Sequence, residues 1–191
     1  MVTREQQAIE ATAVAAERHA LPGQRETLLA AAWTALGAIP DPEVPAISIV
    51  ELGIVRDVAL EGDTLVVTVT PTYSGCPATE MIADDIRQAL DALGVPQVDI
   101  RTVLAPAWTT DWIAPEARAK LRTFGIAPPR RDASRVDVAG ISPLRNARDP
   151  VECPRCGGSN TRLVSQFGST ACKAHYRCEA CGEPFDFFKE H

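Results

Sequence analysis

The sequence predicts an α/β (α+β) fold, a small mixed sheet with helices on one face, followed by a separate C-terminal zinc ribbon. Three observations predict it. Short β-branched runs alternate with amphipathic stretches between residues 25 and 126. A stretch rich in Pro, Arg and small residues, without a clear strand or helix period, follows at 127–150 and reads as a linker. Two C-x-x-C pairs then punctuate residues 151–191.

Taken in order, residues 1–24 are an Ala-, Glu- and Gln-rich arm that Leu21-Pro22-Gly23 interrupts. Residues 25–38 predict a helix whose apolar face is Leu28, Leu29, Ala32, Trp33 and Leu36, with Gly37 as its stop. Pro40, Pro42 and Pro45 stiffen the loop that follows. Residues 47–50 and 54–60 alternate as strands, with Gly53 as a bulge or point of close approach. Glu61-Gly62-Asp63 turns into a strand through Leu65, Val67 and Val69.

Thr72-Tyr73-Ser74-Gly75 is turn chemistry, and Pro77 suits a first helical position. Ile82, Ile86, Leu90 and Leu93 then share one helix face. Val98, Ile100, Thr102 and Leu104 read as a further strand, which makes a sheet of three or four. A loop with Trp108 and Trp112 leads to a helix at 115–124, where Ala117, Leu121 and Phe124 face one way and Gly125 closes it.

Cys76 falls at the joint between strand and helix. Free N–H groups and the dipole at a helix start favour an anion, so its thiol is expected below the free value of about 8.5. A thiolate is both nucleophile and metal ligand. A lone cysteine at such a turn equally suits a small buried packing residue.

Charge narrows the partners. The chain of 191 residues carries −6. Residues 28–126 hold six basic against thirteen acidic side chains. That balance argues against non-specific binding to nucleic acid or to anionic membranes. The first twenty residues lack the apolar core of a signal peptide, and no run is apolar for the length of a bilayer. With six cysteines, the expected setting is a reducing cytoplasm, where metal or redox chemistry is favoured over structural disulfides.

In the tail, 21 residues lie between the pairs Cys153/Cys156 and Cys178/Cys181, the pattern of two knuckles closing four thiolates round one tetrahedral ion. Zinc is expected, with rubredoxin-like iron or a labile cluster as the alternative. Gly157 and Gly182 mark the knuckle turns. Cys172 and His175 are candidate extra ligands, against simple packing for the cysteine and solvation for the histidine. Phe185, Phe187 and Phe188 suit a ribbon core or a docking edge.

Residues 28–126 resemble the MIP/SufT-like family, associated with iron–sulfur protein maturation. The matching pieces are Asp41-Pro42-Glu43-Val44-Pro45, Ser48 to Val55 (SIVELGIV), Thr68-Val69-Thr70 before Gly75-Cys76-Pro77, and Trp108-Thr109 before Trp112. With FGSTACKA and two knuckles behind them, the whole is similar to the PaaD-like accessory proteins of the phenylacetyl-CoA ring-epoxidising oxygenase. The resemblance implies a carrier or maturation factor for iron or an iron–sulfur cluster in phenylacetate degradation, not an enzyme itself. It implies Cys76 as the cluster or iron ligand, with Asp41, Glu51 and Thr70 in the motifs around the same pocket. The implied partners are the oxygenase complex or its iron–sulfur reductase.

One thiolate cannot hold a cluster that normally needs four. A homodimer could share it, Cys172 and His175 could swing over, or a small thiol could assist. A different class of function is a structural adaptor, in which the ribbon docks the oxygenase or reductase and Cys76 binds nothing. A cysteine-nucleophile enzyme needs a base beside the thiol, and residues 25–126 contain no histidine.

Overall fold

A computed structural model describes residues 22–95, 97–129 and 151–190. The N-terminal arm up to residue 21, most of the expected linker and His191 lie outside the described residues.

Helix α1 (Pro22–Gly37) buries Ala32 and Leu36 completely, and Leu28, Leu29 and Trp33 pack on the same core. Strands β1 (Val55–Glu61) and β2 (Thr64–Val69) form an antiparallel hairpin through the Gly62-Asp63 turn. Helix α2 (Ala78–Asp91) crosses back to β3 (Val98–Thr102), which runs parallel to β2. The result is a mixed three-stranded sheet in the order β1-β2-β3. Leu65, Val67 and Val69 share its buried face because side chains alternate along a strand.

A shift of register between Val55 and Asp57 lets Val55 and Val58 both face that core, although they are three apart. The bulge thus sits in β1, not at Gly53. Gly53 is the point of close approach. Its φ is +77°, and a Cβ there would stand 2.8 Å from both Cβ and O of Trp112.

Four sequence expectations are corrected. Residues 47–50 form no strand, only an isolated bridge between Pro40 and Ser48 that opens a tight turn. The Pro-rich loop and the Ser48–Glu51 bonds close that segment on itself before it can extend. Helix α2 stops at Asp91, so Leu93 is exposed and Val95 is buried in the core instead. Leu104 lies beyond the end of β3 and is also exposed. In helix α3 (Pro115–Phe124), Ala117 and Leu121 are buried but Phe124 is exposed, and Gly125 caps the helix at φ +91°.

Strand β4 (Ile126–Ala127) then joins a second sheet with β5 (Thr161–Ser165), β6 (Lys173–Cys178) and β7 (Pro184–Phe188), in the order β4-β7-β6-β5. This ribbon has its own small core of Val151, Ala174, Tyr176 and Phe185, with Phe187 packed against it. Tyr176 contacts the rings of both Phe185 and Phe187. Phe188 points the other way. It is fully buried in the larger core, with its ring centroid 6.0 Å from that of Trp108. Among the described residues no helix is long and apolar enough to cross a membrane.

Two outcomes follow from this packing. Gly53→Ala should cost roughly 2–4 kcal/mol, the left-handed backbone and the clash with Trp112 adding together. Gly62→Ala has the same sign of φ but open space around it, and should cost only about 1 kcal/mol; urea unfolding of the two variants checks the difference. Stripping the ribbon of metal should abolish amide protection in β5–β7. It should also destabilise the larger core by about 1.5–3 kcal/mol, the burial of one Phe, measured as a fall in its melting temperature.

Candidate functional site

The metal centre of the ribbon is built by two knuckles of matching design. Gly157 N–H donates to Cys153 O and Gly182 N–H to Cys178 O, both at 2.9 Å. Both glycines have positive φ, 72° and 78°, as the turns require. Cys153 and Cys178 are buried and Cys156 and Cys181 exposed. The four sulfurs lie within 4.8 Å of one another. Cys153 Sγ is 3.8 Å from Cys181 Sγ, and Cys156 Sγ is 3.6 Å from Cys178 Sγ. Ideal tetrahedral thiolates round zinc stand about 3.8 Å apart, given a Zn–S bond of about 2.3 Å. The cage therefore fits zinc as it stands. Cys172 and His175 are not part of it.

The second site surrounds Cys76, at the C-terminal end of β2 and the start of α2. Cys76 N–H donates to Tyr73 O and closes the turn, while Cys76 O accepts from the amide and hydroxyl of Thr79. Pro77 is the N-cap of α2, one position earlier than the sequence suggests. The Cys76 thiol is half-buried. The expected fall in its pKa does not occur. Burial foremost, with the Glu43 and Asp41 charges, raises it, and the amide of Ala78 and the hydroxyl of Thr79 only partly oppose this. Two carboxylates and desolvation outweigh the partial charge of a helix start.

Asp41 holds the Pro-rich loop. Its buried carboxylate accepts from the amides of Glu43 at 3.0 Å and Val44 at 2.8 Å. Burial raises its pKa, against the pull of those two bonds. This turn aims Glu43 between the two lobes. Glu43 Oε2 accepts from Cys172 Sγ at 3.4 Å, and Glu43 O accepts from Lys173 Nζ at 2.9 Å. Burial, then the charges of Cys76, Glu43 and Cys172, push up the Tyr73 phenol. Cys76, Tyr73, Glu43, Asp41 and Cys172 thus form one neighbourhood.

Two expected members stand elsewhere. Glu51 accepts from Ser48 N–H at 3.0 Å and from Lys120 Nζ at 2.6 Å, and its own amide donates to Ser48 Oγ. Burial works to raise its carboxyl, but Lys120 and Ser48 outweigh it and hold it low. Its carboxylate fixes the 48–53 turn to α3. Thr70 is buried and lines a cleft of about 430 Å³ with Thr72, Tyr73 and Trp108; Tyr73 connects that cleft to Cys76. His175 Nδ1 meets Asp186 Oδ1 at 3.2 Å within the ribbon.

Sequence reasoning did not assign Glu43 or Tyr73 to this site. Both stood in quoted motifs or turns, Glu43 two residues from Asp41 and Tyr73 three before Cys76. Nothing in those stretches says which carboxylate turns toward the thiol.

Comparison with known proteins agrees with both lobes. Residues 29–104 match the family model "Iron-sulfur cluster assembly protein", and residues 140–189 match "PaaD zinc beta ribbon domain". The chain is 50% identical over 157 residues to one subunit of the "Putative 1,2-phenylacetyl-CoA epoxidase" of Escherichia coli, covering 82% of this chain and 90% of that protein. It is 37% identical over 89 residues to "Fe-S protein maturation auxiliary factor YitW" of Bacillus subtilis, covering 46% of this chain and 86% of that one. A crystal structure of a domain of unknown function, DUF59, from Bacillus anthracis aligns with a TM-score of 0.47 at 31% identity, over 51% of this chain and 93% of that chain. The ribbon match and the sulfur geometry together make the tail a zinc site. The chain belongs to the PaaD family, in which an iron–sulfur cluster assembly domain is followed by a PaaD zinc β-ribbon.

Proposed function

We propose that this protein carries iron, or an iron–sulfur cluster, on Cys76 for a phenylacetyl-CoA ring-epoxidising oxygenase complex. It acts as an accessory factor and does not perform the epoxidation. The reading is carried by the half-open thiol of Cys76, which lies within electrostatic reach of the Asp41 and Glu43 carboxylates. Such a set favours a cation. The carboxylates that disfavour a free thiolate attract iron, and metal binding then displaces the thiol proton.

The division of labour follows the chain. Residues 25–126 hold the cargo, with Asp41 shaping the pocket, Glu51 supporting its loops and Thr70 lining the neighbouring cleft. Residues 151–191 are the zinc-stiffened docking module. The names of two relatives, an epoxidase subunit and an Fe-S maturation factor, support the oxygenase or its iron–sulfur reductase as recipient. A half-exposed ligand suits delivery, because a recipient can reach the cargo from the solvent side. A homodimer that pairs two copies of Cys76 would supply further thiolates.

The test is metal and sulfide content of protein purified without oxygen, then reconstituted with ferrous iron and sulfide. Wild type should hold one zinc per chain plus iron and sulfide. Cys76→Ala should keep the zinc and lose at least about tenfold in iron affinity, as expected when a direct ligand goes. Wild-type protein that holds zinc and never iron would move the function to the structural adaptor, in which Cys76→Ala is silent and Cys153→Ser is not.

A further inference from the structure

A lysine is buried where the two lobes meet. Lys173 opens β6 and is only 3% exposed. Lysine almost never lies this deep unless its charge is paired, because an ammonium is costly to take out of water. Its Nζ crosses to the first lobe and donates to Glu43 O at 2.9 Å, over 130 residues of chain. The Asp41 and Asp186 carboxylates, one from each lobe, lie within its electrostatic reach. Beside it, Cys172 Sγ donates to Glu43 Oε2 at 3.4 Å. The ribbon therefore grips Glu43 by both backbone and side chain.

Glu43 belongs to the Pro-rich loop. That loop is closed at its base, where Ile49 N–H donates to Ile39 O and Asp41 N–H to Ile47 O. Asp41 Oδ1 takes the amides of Glu43 and Val44. Glu43 O takes its donor from the ribbon. On the ribbon side Lys173 is itself fixed. Its N–H donates to Thr170 O, and its O accepts from Gly168 N–H. In register it pairs with Phe188 of β7, the residue buried in the larger core. Strand β6 runs from Lys173 to the cage ligand Cys178, and β7 begins at Pro184, just past the cage ligand Cys181. At about 3.4 Å per residue, roughly 17 Å of strand separates Lys173 from Cys178. The cage and the lysine thus stand at opposite ends of one paired ladder.

We infer that Lys173 is a zinc-dependent latch, which holds the 41–44 segment of the first lobe only while the four-cysteine cage keeps β6 and β7 paired. It does so whether or not Cys76 carries cargo. The physical reason is the cost of the buried charge. While the ladder is closed the ammonium is kept at Glu43 O, and that bond offsets part of its desolvation. When the ladder opens, water solvates the ammonium better than one carbonyl does, and the side chain is released to solvent. The loop then loses its outer partner, while the β1-β2-β3 sheet keeps its own bonds. That loop bears Asp41 and Glu43, the carboxylates within electrostatic reach of Cys76. The metal status of the ribbon therefore reaches them through a single side chain.

The test is amide hydrogen exchange on the full chain, with and without zinc, in wild type and Lys173→Met. The reporters are the amides of Glu43 and Val44, with Val67 in β2 as the reference within the first lobe. In wild type, removing zinc should speed exchange at Glu43 and Val44 about fivefold or more relative to Val67. Lys173→Met keeps much of the side chain's length without its charge. It should still bind one zinc per chain and show the same acceleration with that zinc in place. Removing zinc from the variant should then add little, because the link is already cut. The inference is overturned if zinc-loaded Lys173→Met exchanges at the wild-type rate, or if zinc removal accelerates the two amides equally in wild type and variant. Should Lys173→Met fail to fold, Lys173→Gln, shorter and uncharged, is judged by the same two criteria. Wild-type loop amides that merely keep pace with Val67 when zinc is removed overturn it without any variant.

Discussion

The seating of Phe188 against Trp108 fixes the relation of the two lobes, and most of the site depends on it. Phe188 is the last residue of β7 and is fully buried in a core otherwise made by the first lobe. The next residue, Lys189, holds Cys172 by its backbone. Trp108 in turn donates its indole N–H to Leu52 O at 3.1 Å, which ties the contact to the 48–53 turn. Four thiolates make the ribbon rigid, rigidity makes Phe188 a fixed peg, and the peg sets Cys172 and Lys173 against Glu43. A ribbon of some forty residues has too little apolar area to hold this geometry unaided, so the metal supplies it.

Electrostatics at Cys76 runs opposite to the usual case of a reactive cysteine. A helix start offers a fraction of a positive charge. Against it stand burial and the Glu43 and Asp41 carboxylates, and they win. A thiol kept protonated is a poor nucleophile, and among the described residues the ribbon histidine, His175, bonds Asp186 instead. The same carboxylates suit a cation. Both features support the carrier role proposed for Cys76 over that of a covalent catalyst.

Much of the fold was legible because its signals are local. The alternation of Leu65, Val67 and Val69 and the spacing of Ile82, Ile86 and Leu90 each require only a few neighbouring residues. Misreadings fell at ends and turns. Leu93 and Phe124 continue a helical period past the point where the chain leaves the helix or its buried face, so period alone extends the core too far. Residues 47–50 alternate like a strand but have no neighbouring strand to pair with, and Ser48 and Glu51 cap each other instead.

For the sites the same line divides success from failure. The zinc cage was readable from spacing, since each knuckle is a local turn and four thiolates have few other uses. Cys76 was readable as a position between strand and helix. Its surroundings were not, because Glu43, Tyr73 and Cys172 come together across as many as 129 residues of chain. By itself, the sequence determined the elements, the metal cage and the candidate thiol. Only the tertiary structure decided that the thiol is held neutral, that Glu51 turns away to Lys120, and that the ribbon brings a second thiol to Glu43. Those outcomes depend on burial and on distances between segments far apart in sequence, which local periodicity does not encode.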